Sequence, residues 1–414
     1  MRRPSCSFVA IGLVIAGAVA GTAPAAGQSL FATSGLGLPH QPLDARARLL
    51  GGSGVGLFGA NPSLVNPAEA AAFTSRGLSA TFQPTSRSLD LEGGEGELGG
   101  TRFPLISILY PLTDRVVMQA GAGAFMDQSF GVEVRDSLML QDGPVEIVDL
   151  LRSTGGIAQV RAGVAITLTE DLVVGLAGGA YTGGLTRNVR RTFLDSAGVL
   201  RPFQEQARWS YGAPLVVAGV RWDPVGRLRL GGAVTVPGDL DASGEDGTPD
   251  RVFDMPLQLD VGASAILSSD LLLAASMRYA DWSAAGEEFN ASEDPTTAPP
   301  AAGDEWRVGG GLEWGGISSG ARSFPLRLGF NVGKLPFRPV VRSADALPAE
   351  ADRPTEWSVG AGFSFRLTGQ DAGPGALVDA AVEHGRIAAE GAADLPNLVE
   401  SYWRFTVSLG VFGR

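Results

Sequence analysis

The sequence predicts an all-β fold: a transmembrane antiparallel β-barrel of about 14 strands with an N-terminal plug. Three observations predict it. Apolar and polar residues alternate with period two along most of the chain, the connections alternate between short and long, and the first thirty residues have the layout of a secretory signal peptide.

The start carries Arg2 and Arg3, an apolar run from Phe8 to Ala20 and small residues from Ala23 to Gly27. Residues 1–27 are therefore read as a signal peptide, with cleavage between Ala25 and Gln28. The run is shorter than the roughly 20 residues a spanning helix needs, and no later segment approaches about 18 continuous apolar residues. Cys6, the only cysteine, precedes the apolar run rather than following it, so lipid attachment is not expected. The mature chain then has neither a disulfide nor a thiolate metal site. The 414 residues include 58 glycines, and the formal charge is −12 with no basic cluster, which argues against a nucleic-acid partner.

Residues 28–77 do not alternate. DARARLLGGSGVGLFGANPSLVNPAEAAAF is rich in small residues and short helical pieces. An extracellular tail and a periplasmic extension are alternatives, but a segment of glycine and alanine packs closely, and a plug inside the barrel is the preferred reading.

From 78 to 414 the alternation is sustained. Approximate strand spans are 78–91, 100–111, 114–136, 155–168, 171–194, 204–222, 226–236, 252–267, 270–283, 304–314, 324–335, 354–367, 375–386 and 400–412. TEWSVGAGFSFRL shows the pattern: Trp357, Val359, Ala361, Phe363, Phe365 and Leu367 on one parity, Glu356, Ser358, Gly360, Gly362, Ser364 and Arg366 on the other. A soluble sheet explains one such strand, but not the recurrence of glycine, serine and charge on the polar parity of strand after strand. Short connections such as Thr113 and Ser268–Ser269 alternate with long ones such as 137–154, 237–251, 284–303, 336–353 and 387–399. Connections 315–323 and 368–374 break the rule. Outer-membrane barrels have this asymmetry, and hydrocarbon forces a sheet to close on itself so that every backbone group is paired. Trp306, Trp314, Trp357 and Trp403 fall at or near strand ends on the apolar parity, where an aromatic girdle belongs.

The inward parity collects Arg161, Arg278, Arg307, Arg327, Arg366 and Arg404 with Asp260, Glu305, Glu313 and Glu356. Two roles fit: a lumenal ion-pair network that holds the plug, or a clamp for a ligand carboxylate. Within 137–154, Val145, Ile147, Val148, Leu150 and Leu151 cluster if that stretch is helical, either packing on the barrel rim or collecting an apolar ligand. Catalytic and metal-binding residues are not expected. His40 and His384 are the only histidines, no Ser/His/acid set can be assembled, and no phosphate loop or metal-ligand spacing occurs. No cofactor is implied.

GANPSLVNPAEAAAF, with Asn61 and with Asn66, Pro67 and Ala68 at its centre, resembles the hatch region of the FadL-type outer-membrane transporters for long-chain fatty acids and other hydrophobic compounds. RYADWS, with Tyr279, Asp281, Trp282 and Ser283, resembles the motif that ends a middle strand in that family. The closing segments EWRVGGGLEW, PLRLGFNV, EWSVGAGFSF and YWRFTVSLGVF are similar to its last strands. The resemblance implies a 14-stranded monomeric barrel closed by an N-terminal hatch and inserted by the barrel-insertion machinery among outer-membrane lipid. Hydrophobic small molecules would enter from outside and leave sideways where the third strand kinks. Ser129, Phe130 and Gly131, which interrupt the third strand's apolar run, are the candidates for that lateral opening. The chain departs from the pattern at its end, where Phe412 lies on the inward parity, and in its reduced apolar loops. Related PorV-type barrels, which act as protein-binding scaffolds in secretion, give the alternative function.

Overall fold

The computed structural model describes residues 29–413 except 53, 92–93, 141–142, 195–199, 284, 286–301, 320–321, 342–348, 351, 368–374 and 391–396. The expected signal peptide, its cleavage site and most of 284–303 lie outside the described residues.

Alternation produces strands over nearly the whole chain. In order they are β1 (Leu38–Pro39), β2 (Gly77–Leu91), β3 (Gly94–Thr113), β4 (Val116–Asp127), β5 (Phe130–Leu140), β6 (Gly143–Thr167), β7 (Leu172–Phe193), β8 (Phe203–Val225), β9 (Leu228–Pro237) and β10 (Leu240–Glu245). There follow β11 (Arg251–Phe253), β12 (Gln258–Ser268), β13 (Leu271–Ala280), β14 (Glu305–Ser319), β15 (Arg322–Lys334), β16 (Val340–Val341), β17 (Ala349–Glu350), β18 (Thr355–Leu367), β19 (Gly375–Ala389) and β20 (Leu398–Phe412). β4 with β5, β9 with β10 and β11 with β12 each make one interrupted wall strand, β16 and β17 form a separate small hairpin, and β1 belongs to the N-terminal segment. The wall is a closed antiparallel barrel of 14 strands, sealed by β20 pairing with β2 from Gly77↔Phe412 to Asp90↔Val399. Closure pairs the first wall strand with the last, so neither is left as a free sheet edge.

The two parities behave as the sequence predicts. Leu328 and Phe330 are 63% and 53% exposed, while Arg327 between Leu326 and Leu328 is 4% exposed. Trp314, Trp357 and Trp403 are exposed on the outer face of the wall, and His384 lies between Trp357 and Trp403, 4.7 Å from the latter ring. An apolar outer band with aromatics is the pattern of a barrel that spans a membrane.

The structure corrects two expectations. Val145, Ile147, Val148, Leu150 and Leu151 are not a loop helix; they lie in β6, paired to β5 from Phe130↔Ser153 to Leu140↔Gly143. β-branched Val145, Ile147 and Val148 suit a pleated strand, and Gly143, with φ +122°, supplies at the start of β6 a backbone conformation that favours glycine. The expected loop 137–154 is therefore a tall hairpin. The spans 237–251 and 315–323, expected as connections, are partly strand, the first in β10 and the second in β14 and β15.

Candidate functional site

The N-terminal segment lies inside the barrel, and almost every residue from 29 to 70 is shielded from solvent. Helix α1 (Ala45–Leu49) starts at Asp44, whose carboxylate accepts from the Ala47 N–H at 2.7 Å. Its two arginines reach the wall. Arg46 grips Glu313 through Nε at 2.8 Å and Nη2 at 3.0 Å, and Arg48 stands 3.7 Å from Glu383. Farther on, Gln119 donates to the Ser63 carbonyl at 3.0 Å and Arg229 to the Leu57 carbonyl at 3.1 Å. Arg161 donates to the Leu64 carbonyl at 3.0 Å. Wall side chains thus satisfy backbone groups of a segment too irregular to satisfy its own.

Asn66, Pro67 and Ala68 form the start of a 3-10 turn, Pro67–Ala72. The Asn66 Oδ1 accepts from the Ala68 N–H at 3.0 Å, and its Nδ2 donates to the Val220 carbonyl at 3.0 Å. Asn61 closes a loop by donating to the Gly54 carbonyl at 2.6 Å. The wall opposite is glycine for a steric reason: a Cβ on Gly219 would lie 2.0 Å from Asn66 Oδ1, and one on Gly175 would lie 2.4 Å from the Ala68 nitrogen.

The inward charges form a connected band. Arg327 joins Glu313 at 2.6 Å to Asp379 at 2.9 Å. Glu356 is shared by Arg307 at 2.9 Å, Arg404 at 3.5 Å and the Tyr402 hydroxyl, which donates at 2.6 Å. Arg278 is 3.9 Å from Asp260, and Glu305 accepts from the Trp282 Nε1 at 3.1 Å. Arg366 is the exception to the expected network: it is exposed at the strand end, apart from this band. Arg46, Arg48, Arg87, Asp379, Glu383 and Glu400 belong to the lumenal contacts but were missed from sequence. The parity of 375–386 carried a usable signal, because Asp379 and Glu383 alternate with the outward Val382 and His384.

The third wall strand breaks between Asp127 and Phe130. From Phe125 to Gln128 four consecutive side chains are buried, so period two fails and the strand turns inward. Its ladder to β3 ends at Leu105↔Gly123, next to Pro104, which has no N–H to give. Above that point the described residues of β3 pair with β2, and β5 pairs with β6. The wall is thus unladdered between the upper parts of β3 and β5. Instead of β3, the edge of β4 pairs with β1, Leu38↔Asp127 and Pro39↔Met126, and the His40 N–H donates to the Phe125 carbonyl at 2.7 Å. Of the residues expected at a kink, Ser129 sits in the break and donates to the Gly155 carbonyl at 3.2 Å. Phe130 and Gly131 already lie in regular register with Ser153 and Arg152. The glycine that accommodates the bend is Gly155, at φ +130° on β6.

Beside this break lies a buried aromatic cluster. Phe125 lies tilted against Tyr181 with ring centroids 4.3 Å apart and stacks on Trp282 at 6.3 Å, and Trp282 meets Phe337 edge-on at 5.2 Å; Leu36 of the N-terminal segment and Leu185, Tyr211, Leu240 and Phe253 of the wall pack in the same cluster. The Tyr211 hydroxyl donates to Gln128 at 2.9 Å. Of RYADWS, Trp282 is the buried member, Tyr279 points outward, and Asp281 accepts from the Ser283 N–H at 2.9 Å to shape the turn. At the opposite end Phe412 turns inward onto Phe73, with ring centroids 5.7 Å apart, which accounts for its parity.

Burial tunes the titratable groups of the N-terminal segment. Desolvation, and then the nearby Asp379, raise the Asp44 carboxyl to about 6. Burial raises Glu69, while burial and the surrounding arginines, Arg102 first, hold the His40 imidazole well below its usual value.

No protein-family model and no curated protein sequence matches the chain. Solved structures do. A FadL homologue of Pseudomonas aeruginosa superposes with a TM-score of 0.58 at 13% identity, over 90% of this chain and 99% of that one. The Ralstonia pickettii toluene transporter TbuX gives 0.56 at 16% identity, over 90% and 98%, and the Pseudomonas putida toluene transporter TodX gives 0.55 at 15% identity, over 92% and 99%. These neighbours are transport proteins rather than enzymes. With a barrel of 14 strands and a segment folded into its lumen, the chain has the fold of the FadL-type barrels.

Proposed function

We propose that the protein is an outer-membrane channel for passive uptake of hydrophobic small molecules, with residues 28–77 as the plug that gates it. The observation that carries this reading is the unladdered stretch of wall between β3 and β5, placed beside a buried aromatic cluster and covered from inside by β1. A hydrophobic molecule gains about 25 cal/mol for each Å² it removes from water, so an apolar route to the lipid phase needs no energy source. The toluene transporters that share the fold support the substrate class; long-chain fatty acids are the other candidates. Ser129 would lie at the exit, with the aromatic cluster as the waiting site. The inward arginines are engaged by carboxylates and by carbonyls of the N-terminal segment, which favours a holding role over a carboxylate clamp.

The scaffold alternative rests on a specific feature: among the described residues β5 pairs with β6 on one side only, leaving a strand edge for a protein partner to extend. One experiment separates the two. Cells with the gene deleted and restored are given radiolabelled toluene, oleate and glucose. Faster entry of toluene or oleate on restoration, with glucose unchanged, supports the channel. Equal entry of all three probes overturns it and leaves the scaffold.

A further inference from the structure

We propose that the ion pair between Arg102 and Asp127 is the latch of the wall opening and that it ties the opening to the N-terminal segment. This rests on the channel reading and names how the same site is regulated.

The ladder between β3 and β4 ends at Leu105↔Gly123. Arg102 lies beyond that end on β3, and Asp127 is the last residue of β4 before the break. Arg102 Nε donates to Asp127 Oδ2 at 2.7 Å, and Arg102 Nη2 donates to the same oxygen. A side-chain bond therefore crosses the wall where backbone bonds stop. Both side chains are largely shielded, at 7% and 9% exposure, so water does little to replace either partner. Among the described residues Arg102 Nη1 has no partner, so none of them offers the guanidinium a second acceptor in place if Asp127 withdraws.

Asp127 also holds the plug. Its backbone pairs with Leu38, and Gly37, at φ +95°, approaches so closely that a Cβ would lie 2.2 Å from the Asp127 carbonyl oxygen. Its second carboxylate oxygen accepts from the Ser129 N–H at 2.9 Å, which fixes the break itself. One residue thus serves three closures: the wall through Arg102, the kink through Ser129 and the plug through Leu38. Withdrawal of β1 removes the backbone partner on the open edge of Asp127, leaving only its pairing to Gly156 of β6, and loss of the ion pair frees the edge on which β1 is paired.

The test uses the full chain in detergent micelles and in cells. Amide exchange is followed at His40, whose N–H is bonded to Phe125, and at Ala68, whose N–H is capped by Asn66. Arg102→Gln and Asp127→Asn should each accelerate exchange at His40 by at least about tenfold, with the double variant no faster than the singles and Ala68 unchanged. Exchange at His40 within about twofold of the parent, or equal acceleration at Ala68, overturns the latch. In cells, cysteines replacing Arg102 and Asp127 are joined by a short reducible thiol cross-linker. Toluene uptake should fall and recover on reduction; uptake unchanged in the bridged protein overturns the gate. If the parent takes up neither toluene nor oleate, the channel reading fails, while the exchange result still decides whether Arg102 and Asp127 hold the plug.

Discussion

Asn66 illustrates how one side chain fixes both local and long-range structure. It caps its own turn and donates across the lumen to Val220, so Asn66→Ala removes a cap and an interior bond, at a cost of about 1–2 kcal/mol. Gly219→Val should act from the other side, because the new Cβ has no space beside Asn66 Oδ1. Either change is expected to raise single-channel conductance in planar bilayers, and unchanged conductance would show that this contact does not hold the segment. Asp44 adds a pH dependence. Its free value of 3.8 rises to about 6 when docked, so the docked state binds the proton more tightly. Docking by this group is strongest below 3.8 and weakens as pH climbs through about 6. Glu69, also raised by burial, acts in the same direction. His40 opposes both: its value is lowered, so its contribution is complete above the free value of 6.5 and is lost as pH falls below it. Asp44→Asn should remove its part of the slope in conductance between pH 4 and 6 while leaving the slope from His40. An identical pH profile in parent and variant would contradict it.

At the scale of elements, the wall strands were legible because each must present an apolar face to lipid, and a two-residue period survives glycine-rich sequence. What was not legible has a common cause: contacts set by partners distant in sequence. The stretch Val145–Leu151 fits a helical face as well as a strand, and only its pairing to β5 and β7 decides. The break in the third strand was placed one or two residues late because Gly131 drew attention, whereas the bend is accommodated across the ladder at Gly155. Arg102 and Asp127 gave no local signal, since their meeting depends on where a neighbouring ladder ends. Gly155→Val is the test of this element. A side chain there would adopt φ +130° and place its Cβ 2.0 Å from the Gly184 carbonyl oxygen, so the variant should lose the heat-modifiable band on gels. Gly178→Val, where a Cβ meets nothing within 4 Å, should keep it. Equal behaviour of the two variants would contradict a special role for Gly155.

For the whole molecule, the question is whether the barrel stands without what fills it. Deleting 44–73 takes away Arg46 and Arg48, but Glu313 keeps Arg327 at 2.6 Å, and Glu383 keeps Arg404 at 3.8 Å. The wall thus retains a cation for each of these carboxylates, and among the described residues only the short β1–β4 pairing ties the N-terminal segment into a backbone ladder of the wall. The shortened chain should therefore insert and run as a heat-modifiable monomer. Its lumen, relieved of α1 and the turn at Pro67–Ala72, should conduct ions in planar bilayers well above the parent, and small hydrophilic antibiotics should enter cells faster. Point changes grade the effect. Arg307→Ala leaves Glu356 with Arg404 and Tyr402, so only mild loosening is expected, and Arg366→Ala, at an exposed site, should match the parent. A deletion that inserts normally yet conducts no more than the parent would mean that residues 44–73 do not close the lumen. The gate would then lie in the wall alone.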